Sequence, residues 1–196
     1  MKIYGDLNSG NCLKVKWTCD LLKRSYEWID TDITKGQSRT PEFLALNPAG
    51  QVPLVVLDDG RPLAQSNAII RHLAKGTHLI PADGYAEAKM DEWLFWEQYS
   101  HEPYIAVCRF VMVYLKKPPE ERDPEKVRRG YVALKQMEDQ LAKTPFLVGN
   151  DFTVADVSLL AYTRVAHEGG FVLSDHPSLR RWIAASEKML GLPPAL

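Results

Sequence analysis

The stretch Lys2-Ile3-Tyr4-Gly5-Asp6-Leu7-Asn8-Ser9-Gly10-Asn11-Cys12 joins a short strand pattern to the start of a helix. Residues 2–5 are predicted to form a strand with Ile3 facing inward, and residues 11–24 are predicted to form a helix. Such a corner points a hydroxyl, an amide, a thiol and several backbone N–H groups at one small volume. Because the first N–H groups and the dipole of a helix favour negative charge, the corner predicts an anion site.

Segments of alternating type follow this corner as far as about Lys75 and predict the order β-α-β-α-β-β-α. The later predicted elements are a strand at 26–33, a short helix from Pro41, strands at 52–57 and 61–64, and a helix at 66–75.

Only helical patterns appear beyond residue 84. Pro103 lies inside the helical pattern of 85–115, and it should kink or split that helix because proline removes a backbone donor. The sequence therefore predicts an α/β domain at residues 1–76, a linker at 77–84 and an all-helical domain at 85–196.

The composition is that of an ordinary folded protein. Of 196 residues 45 % are hydrophobic, and 24 basic against 25 acidic side chains leave a net charge of −1. A near-neutral chain gives no electrostatic reason to expect nucleic acid or an anionic membrane as a partner. No apolar run reaches the ~18 residues of a membrane span, and residues 1–6 lack the apolar segment of a secretory signal. We therefore expect a cytoplasmic protein with neither partner.

The spacing of cysteine and histidine argues against a metal site and against a CxxC redox motif. The three cysteines, Cys12, Cys19 and Cys108, have no metal-ligand spacing, and the five histidines are not paired. Cys12 and Cys19 lie about two helical turns apart, roughly 10.5 Å, whereas a disulfide needs Cα atoms within about 7 Å. We expect no metal cofactor.

Two motifs suit a peptide ligand with a carboxylate. Val52-Pro53 opens an apolar strand, and a cis bond there would turn the Val52 N–H and C=O outward, where a peptide backbone can pair. A trans bond is the commoner case. Gln65-Ser66 precedes the third helix, whose first N–H groups suit a carboxylate, although plain N-capping by Ser66 explains the serine about equally well.

A third motif, Thr153-Val154-Ala155-Asp156, is typical of a capping box. Thr153 would cap the helix and Asp156 would reach back, with Phe152 packing on Val157. We interpret this motif as structural.

Five motifs in a fixed order resemble the cytosolic glutathione S-transferase family over nearly the whole chain. They are Ser9-Gly10-Asn11 with Lys14-Val15, Pro41-Glu42-Phe43-Leu44, Asn47-Pro48-Ala49-Gly50-Gln51-Val52-Pro53, Gln65-Ser66-Asn67-Ala68-Ile69, and Gly149-Asn150-Asp151-Phe152-Thr153-Val154-Ala155-Asp156. The resemblance implies a thioredoxin-like N-terminal domain, an all-helical C-terminal domain and a homodimer. The Ser-x-Asn corner is similar to that of bacterial theta-like, beta-like or nu-like members, not to the tyrosine type.

The resemblance also implies which residues bind glutathione. They are Gln37 or Arg39, Gln51, Val52, Pro53, Gln65 and Ser66. Val52 would pair with the cysteinyl backbone beside a cis Pro53, and Gln65 and Ser66 would hold the γ-glutamyl carboxylate.

The chemistry expected at the corner is stabilisation of the glutathione thiolate. An unperturbed thiol is only a few per cent ionised at pH 7. One hydrogen bond to a charged acceptor contributes roughly 1.5–3 kcal/mol, enough to lower a pKa by about one to two units. Ser9 is assigned the leading catalytic role and Asn11 the supporting one. The thiolate would then attack a small electrophilic or disulfide substrate.

The second substrate is expected against the first long helix of the C-terminal domain, between the domains. The candidate residues are Tyr99, His101, Tyr104, Cys108 and Phe110. Aromatic residues at helical spacing are, however, more often part of a core than of a ligand pocket.

Three alternatives stay open at this point. Cys12, near a helix start, is a possible nucleophile that would form a mixed disulfide. The same site would also serve a glutathione-dependent disulfide reductase or peroxidase. Finally, a transferase-like protein can be a non-enzymatic binding or regulatory module.

Overall fold

The computed structural model describes residues 1–195 and shows the predicted β-α-β-α-β-β-α order in the first of two units, Met1–Thr77. The second unit begins at His78. The elements of the N-terminal unit are β1 (Lys2–Gly5), α1 (Gly10–Leu21), β2 (Glu27–Asp30), α2 (Pro41–Leu46), β3 (Leu54–Val56), β4 (Pro62–Ala64) and α3 (Ser66–Ala74).

Several elements of this unit are shorter than the sequence predicts, and for α1 and β2 the reason is local. Helix α1 ends at Leu21, two residues before Lys23 adopts a left-handed backbone with φ 52°. Strand β2 ends at Asp30 because Ile33–Lys35 form a 3₁₀ turn. The Asp32 carboxylate caps that turn by accepting from the Thr34 N–H at 2.9 Å.

The four strands form one sheet in the order β2-β1-β3-β4. β1 is parallel to β2 and antiparallel to β3, with Tyr4 opposite Leu54. Extending this antiparallel register by two residues brings Pro53 beside Gly5 and Val52 beside Asp6. The start of β3 therefore lies next to the segment that leads into α1.

Helix α1 is buried on most of its surface. Val15, Trp17 and Cys19 belong to the core, as the apolar pattern predicts. Lys14 is fully buried as well, although a lysine in a helix ordinarily lies on the exposed face.

Gly5 allows β1 to approach its neighbours closely. A Cβ atom at this position would lie 2.6 Å from the outer ring of Trp28 and 3.2 Å from the Cβ of Cys12. The lack of a side chain at Gly5 thus lets Trp28 and Cys12 close over the end of the strand.

The described part of the C-terminal unit contains helices and no strand, as predicted. Its α-helices are α4 (Gly84–Trp96), α5 (Glu102–Val113), α6 (Pro124–Leu141), α7 (Val154–Thr163) and α8 (Pro177–Leu190). A π-helical turn, Glu97–His101, separates α4 from α5, and Pro103 lies in the first turn of α5. The predicted split near Pro103 is confirmed. Among residues 1–195, no helix is long and apolar enough to cross a membrane.

The capping box at the start of α7 is confirmed. The Thr153 hydroxyl accepts from the Ala155 N–H at 3.2 Å, and the Asp156 carboxylate accepts from the Thr153 N–H at 2.9 Å. Asp156 also accepts from the Leu147 N–H at 3.0 Å and from the Trp182 indole N–H at 2.8 Å. A fully buried carboxylate therefore joins α7, α8 and the loop before α7.

Replacing Asp156 with alanine should destabilise the protein by about 3 kcal/mol or more, because several buried N–H donors lose their acceptor. The urea midpoint of unfolding, followed by circular dichroism, measures this loss. Asp151→Ala is the matched control, since Asp151 is exposed in the same loop. An equal, small shift for both variants would contradict the structural role of Asp156.

Candidate active site

Ser9 is the N-cap residue of α1, with φ −85° and ψ 118°. Its backbone C=O accepts from the Leu13 N–H at 3.0 Å, but its hydroxyl makes no capping bond to the helix. An N-cap serine ordinarily accepts a bond from the helix through this oxygen. The half-buried Ser9 hydroxyl therefore makes no capping bond to the backbone of α1 and interacts instead with the Cys12 thiol, whose pKa it lowers.

Ser66 and Asn11 are joined by a hydrogen bond between helices α3 and α1. The Ser66 hydroxyl donates to the Asn11 side-chain oxygen at 3.0 Å, across 55 residues of sequence. The first turns of the two helices therefore lie together. Each helix start favours an anion, so two negative groups of one ligand can be held here.

The suggestion that Ser66 caps α3 is wrong. Gln65 is the N-cap residue, and no side chain makes a capping bond at this helix start. Gln65 has φ 69°, which is rare for a residue other than glycine, and its side chain is exposed. The Ser66 hydroxyl is directed to α1 instead.

The peptide bond between Val52 and Pro53 is cis, as predicted. The preceding loop is held by the Asn47 side chain, which donates to the Gln51 C=O at 2.8 Å and accepts from the Ala49 N–H at 3.3 Å. Val52 lies outside the paired register of β3, which begins at Leu54.

Comparison with known proteins identifies the family of the chain. "Glutathione S-transferase, N-terminal domain" matches residues 8–75, and "Glutathione S-transferase, C-terminal domain" matches residues 133–185. A crystal structure of a glutathione S-transferase from Pseudomonas fluorescens Pf-5 is 45 % identical, with a TM-score of 0.94, over 100 % of this chain and 98 % of that one. One from Xanthobacter autotrophicus Py2 is 44 % identical, with a TM-score of 0.91, over 98 % and 94 %. Glutathione S-transferase 3 of Zea mays is 31 % identical over 194 residues, 93 % of this chain and 86 % of the maize protein.

The chain belongs to the glutathione S-transferase family. The predicted family, fold class, enzyme class and co-substrate glutathione are thereby confirmed. The subclass and the second substrate stay predictions. In the part of this transferase that the structure describes, no group of three or more His, Cys, Asp or Glu residues could hold a metal ion.

Gln37 and Arg39 stabilise their own loops in this transferase. The Gln37 side-chain oxygen accepts from the Asp32 N–H at 2.6 Å. The Arg39 guanidinium donates to the Ala49 C=O at 3.1 Å and packs against Gly50, which has φ 61° and no room for a Cβ. Both side chains are exposed, and these bonds fix the conformation of their loops.

Cys12 does not have the environment of a nucleophile. Its side chain is fully buried, and burial raises the pKa of its thiol to about 11, although an Asp6 backbone bond and the Ser9 hydroxyl partly oppose this shift. A catalytic cysteine needs an accessible thiolate with a lowered pKa. The expectation that the helix start lowers the pKa of Cys12 is therefore wrong.

Cys12→Ala should keep turnover close to that of the wild type, because the thiol is buried and protonated at neutral pH. It should also change the pH dependence of unfolding. The thiol pKa of about 11 when folded exceeds the unfolded value near 9.0, so ionisation favours the unfolded state and stability falls as the pH rises above 9. Urea unfolding at several pH values should show that the variant loses less folding stability at alkaline pH than the wild type. Abolished turnover in a folded Cys12→Ala protein would restore Cys12 as the nucleophile.

The structure separates the residues that were expected at the second substrate. Tyr99 is 81 % exposed in the π-helical turn. Tyr104 is half-buried, and its hydroxyl accepts from Arg129 at 3.0 Å. Phe110 is 40 % exposed and stacks on Tyr114.

His101 and Cys108 are buried, which argues against contact of either side chain with a substrate. The Thr163 hydroxyl donates to the Leu159 C=O at 2.6 Å, so its oxygen accepts at 2.9 Å from His101 Nε2. Burial also raises the pKa of the Cys108 thiol. The expectation that the side chains of His101 and Cys108 contact the second substrate is therefore wrong.

Sequence reasoning missed the bond between Ser66 and Asn11. Both residues lie at helix starts, where serine and asparagine are common as caps. Ser9 and Gln65 are the N-cap residues in the structure, and no sequence signal pairs Asn11 with Ser66 across 55 residues.

Proposed function

We propose that this transferase binds glutathione in its N-terminal unit and ionises the thiol with Ser9 and Asn11. The observation that carries this proposal is the bond between Ser66 and Asn11, since it joins a helix start that suits a thiolate to one that suits a carboxylate. The cis Val52-Pro53 bond lies at the neighbouring end of β3. Glutathione carries a thiol, a peptide backbone and a γ-glutamyl carboxylate, one for each of these features.

Glutathione would extend across the unit along these three features. The γ-glutamyl carboxylate would meet the backbone N–H groups at the start of α3, beside Gln65 and Ser66. The cysteinyl backbone would add a short antiparallel pairing at Val52, and Gln51 would meet the glycyl end. The thiol would then point to the start of α1.

Ionisation at this corner needs no general base. The Ser9 hydroxyl would donate to the sulfur, the Asn11 amide would donate from the side, and the dipole of α1 would favour the negative charge. The proton leaves to solvent. The resulting thiolate attacks an electrophilic carbon or sulfur, and the leaving group departs with the electron pair.

Ser9→Ala should raise the pKa of the bound glutathione thiol by about one unit, because one bond to the charged sulfur is lost. Turnover of a halonitroarene should then fall by about tenfold at a pH below the wild-type thiol pKa. The pH profile of kcat/KM and the thiolate absorbance of the complex measure the shift. Ser9→Thr, which keeps a hydroxyl, is the control. An unchanged profile in Ser9→Ala would remove Ser9 from the catalytic role.

The second substrate is proposed to be a small electrophile, and parallel assays distinguish it from the other classes. A halonitroarene, a peroxide and a mixed disulfide should be offered to the same preparation. Fastest turnover of the halonitroarene supports the transferase reaction, whereas fastest turnover of the peroxide or disulfide favours a peroxidase or reductase. Retention on immobilised glutathione without turnover of any of the three would indicate a binding protein.

A homodimer is also proposed, and exposed aromatic residues on α4 support it. Tyr85 and Phe95 are 75 % and 77 % exposed. Large aromatic side chains on a helix surface are typical of protein interfaces.

Sedimentation equilibrium should give the mass of two chains for the wild type. Phe95→Glu should shift the equilibrium toward monomer, because it places a charge on the proposed interface. Val172→Glu, at an exposed apolar residue of a loop, should leave the mass unchanged. A monomeric wild type at all concentrations would contradict the dimer.

A cytoplasmic location is proposed because all three cysteines are free, which suits a reducing compartment that supplies reduced glutathione. Recovery of the protein only from a secreted or membrane fraction would contradict it.

A further inference from the structure

We infer that Asn47 is a positioning residue for the Val52 N–H, the donor that would pair with the cysteinyl carbonyl of glutathione. The Asn47 side-chain amide holds the Gln51 C=O, and the planar peptide bond between Gln51 and Val52 then turns the Val52 N–H away from Asn47. This inference rests on the proposed function, because it concerns the binding of the same tripeptide.

The first support is that both edges of the Asn47 amide are occupied. Its Nδ2 donates to the Gln51 C=O at 2.8 Å, and its Oδ1 accepts from the Ala49 N–H at 3.3 Å. A reversed amide would place oxygen against oxygen and N–H₂ against N–H, so the two partners fix its orientation. Because Asn47 is only 6 % exposed, water competes little for these bonds.

The second support is the turn that carries this amide. The Asn47 C=O accepts from the Gly50 N–H at 2.9 Å, which closes a four-residue turn with Pro48 at its second position, where proline is favoured. The Asn47 N–H donates to the Phe43 C=O of α2 at 2.8 Å. The backbone of Asn47 is therefore held on both sides, and the side chain extends from a fixed position.

The third support is the geometry of the peptide bond between Gln51 and Val52. This bond is trans, and in a planar trans peptide the C=O and the following N–H point in opposite directions. With the Gln51 C=O held by Asn47, the Val52 N–H points away from Asn47. Among residues 1–195 the Val52 N–H makes no hydrogen bond, and Val52 precedes the paired register of β3. The donor is thus oriented and still available to a ligand.

The Asn47 bond determines how much of this loop glutathione has to order when it binds. Without the bond, the Gln51–Val52 peptide can rotate, and the ligand must fix it on binding. The groups proposed to ionise the thiol, Ser9 and the start of α1, include no atom of this loop. Loss of the Asn47 bond should therefore raise the KM for glutathione and leave kcat nearly unchanged.

Two variants remove the bond to Gln51 and keep an acceptor for the turn. Asn47→Ser retains an oxygen for the Ala49 N–H, but its side chain is shorter and is not expected to reach the Gln51 C=O. Asn47→Asp keeps the length and the acceptor oxygen and lacks the donor. Asn150→Ser is the matched control, because Asn150 is exposed in a loop of the C-terminal unit. Circular dichroism and the thermal midpoint report whether each variant is folded.

The dissociation constant for glutathione, measured by calorimetry on the intact chain, should rise about tenfold in both Asn47 variants. The KM for glutathione should rise by a similar factor, while kcat at saturating glutathione should stay within about twofold of the wild type. The pKa of the bound thiol, followed by its thiolate absorbance, should not move. Asn150→Ser should match the wild type in every measurement.

A glutathione analogue whose cysteinyl carbonyl is replaced by a methylene group tests the route through Val52. This analogue cannot accept from the Val52 N–H, so the wild type should bind it more weakly than glutathione. The Asn47 variants should bind the analogue about as well as the wild type does, because the contact that Asn47 supports is already missing.

The outcomes separate the two levels of the proposal. A wild type that does not bind glutathione, or whose bound thiol has the pKa of free glutathione, overturns the proposed function and this inference with it. A wild type that binds the analogue as tightly as glutathione removes Val52 from the site, and the inference fails with that contact.

Three further results contradict the inference alone. The first is wild-type affinity for glutathione in both Asn47 variants. The second is an equal loss of affinity for glutathione and for the analogue, or a fall in kcat as large as the loss of affinity, because Asn47 would then act through the general stability of the loop. The third is failure of both variants to fold, which would assign Asn47 to folding.

Discussion

The antiparallel pairing of β1 with β3 sets the geometry on which the proposed glutathione site depends. With Tyr4 opposite Leu54, the chain before β3 lies beside the chain after β1. A slip of one residue would turn each side chain of β3 to the other face and displace Val52 from the corner. The Asn47 side chain stabilises this register, because its hydrogen bonds to Gln51 and Ala49 hold the loop that precedes β3.

The first turns of α1 and α3 add to that geometry an electrostatic potential that favours anions. The N-terminus of α1 and the N-terminus of α3 each carry a partial positive charge, and the bond between Asn11 and Ser66 holds them together. Bringing two like dipole ends close is unfavourable on its own. In the proposed glutathione complex, a thiolate at one helix start and a carboxylate at the other would offset that repulsion.

Features that rest on local chemistry were predictable from the sequence. Pro103 signalled the break between α4 and α5, whereas the cis bond at Val52-Pro53 was implied by the family resemblance, because a proline at a strand start is more commonly trans. The capping box of Thr153 and Asp156 followed from residue spacing alone. Each of these depends on neighbours within a few residues.

Features that depend on tertiary packing were not predictable. The burial of Lys14 and the high pKa of Cys12 depend on which residues close over α1, among them Gly5 and Trp28 beside Cys12. The Ser66–Asn11 bond joins positions 55 residues apart, and neither residue type singles out the other. For the same reason, the exposure of Tyr99 and the burial of His101 could not be separated, since both follow from their positions in a π-helical turn.

The buried state of Cys12 has a consequence for the durability of the catalyst. A thiol next to an active site is ordinarily a weak point, because peroxides and disulfides convert an accessible thiolate into a sulfenic acid or a mixed disulfide. Here the Cys12 thiol is buried beside Gly5, and burial raises its pKa to about 11, so little thiolate forms at neutral pH. The group proposed to ionise glutathione, the Ser9 hydroxyl, is not modified by these oxidants. The burial of Cys12 is therefore expected to protect the protein from inactivation by the oxidants that consume glutathione.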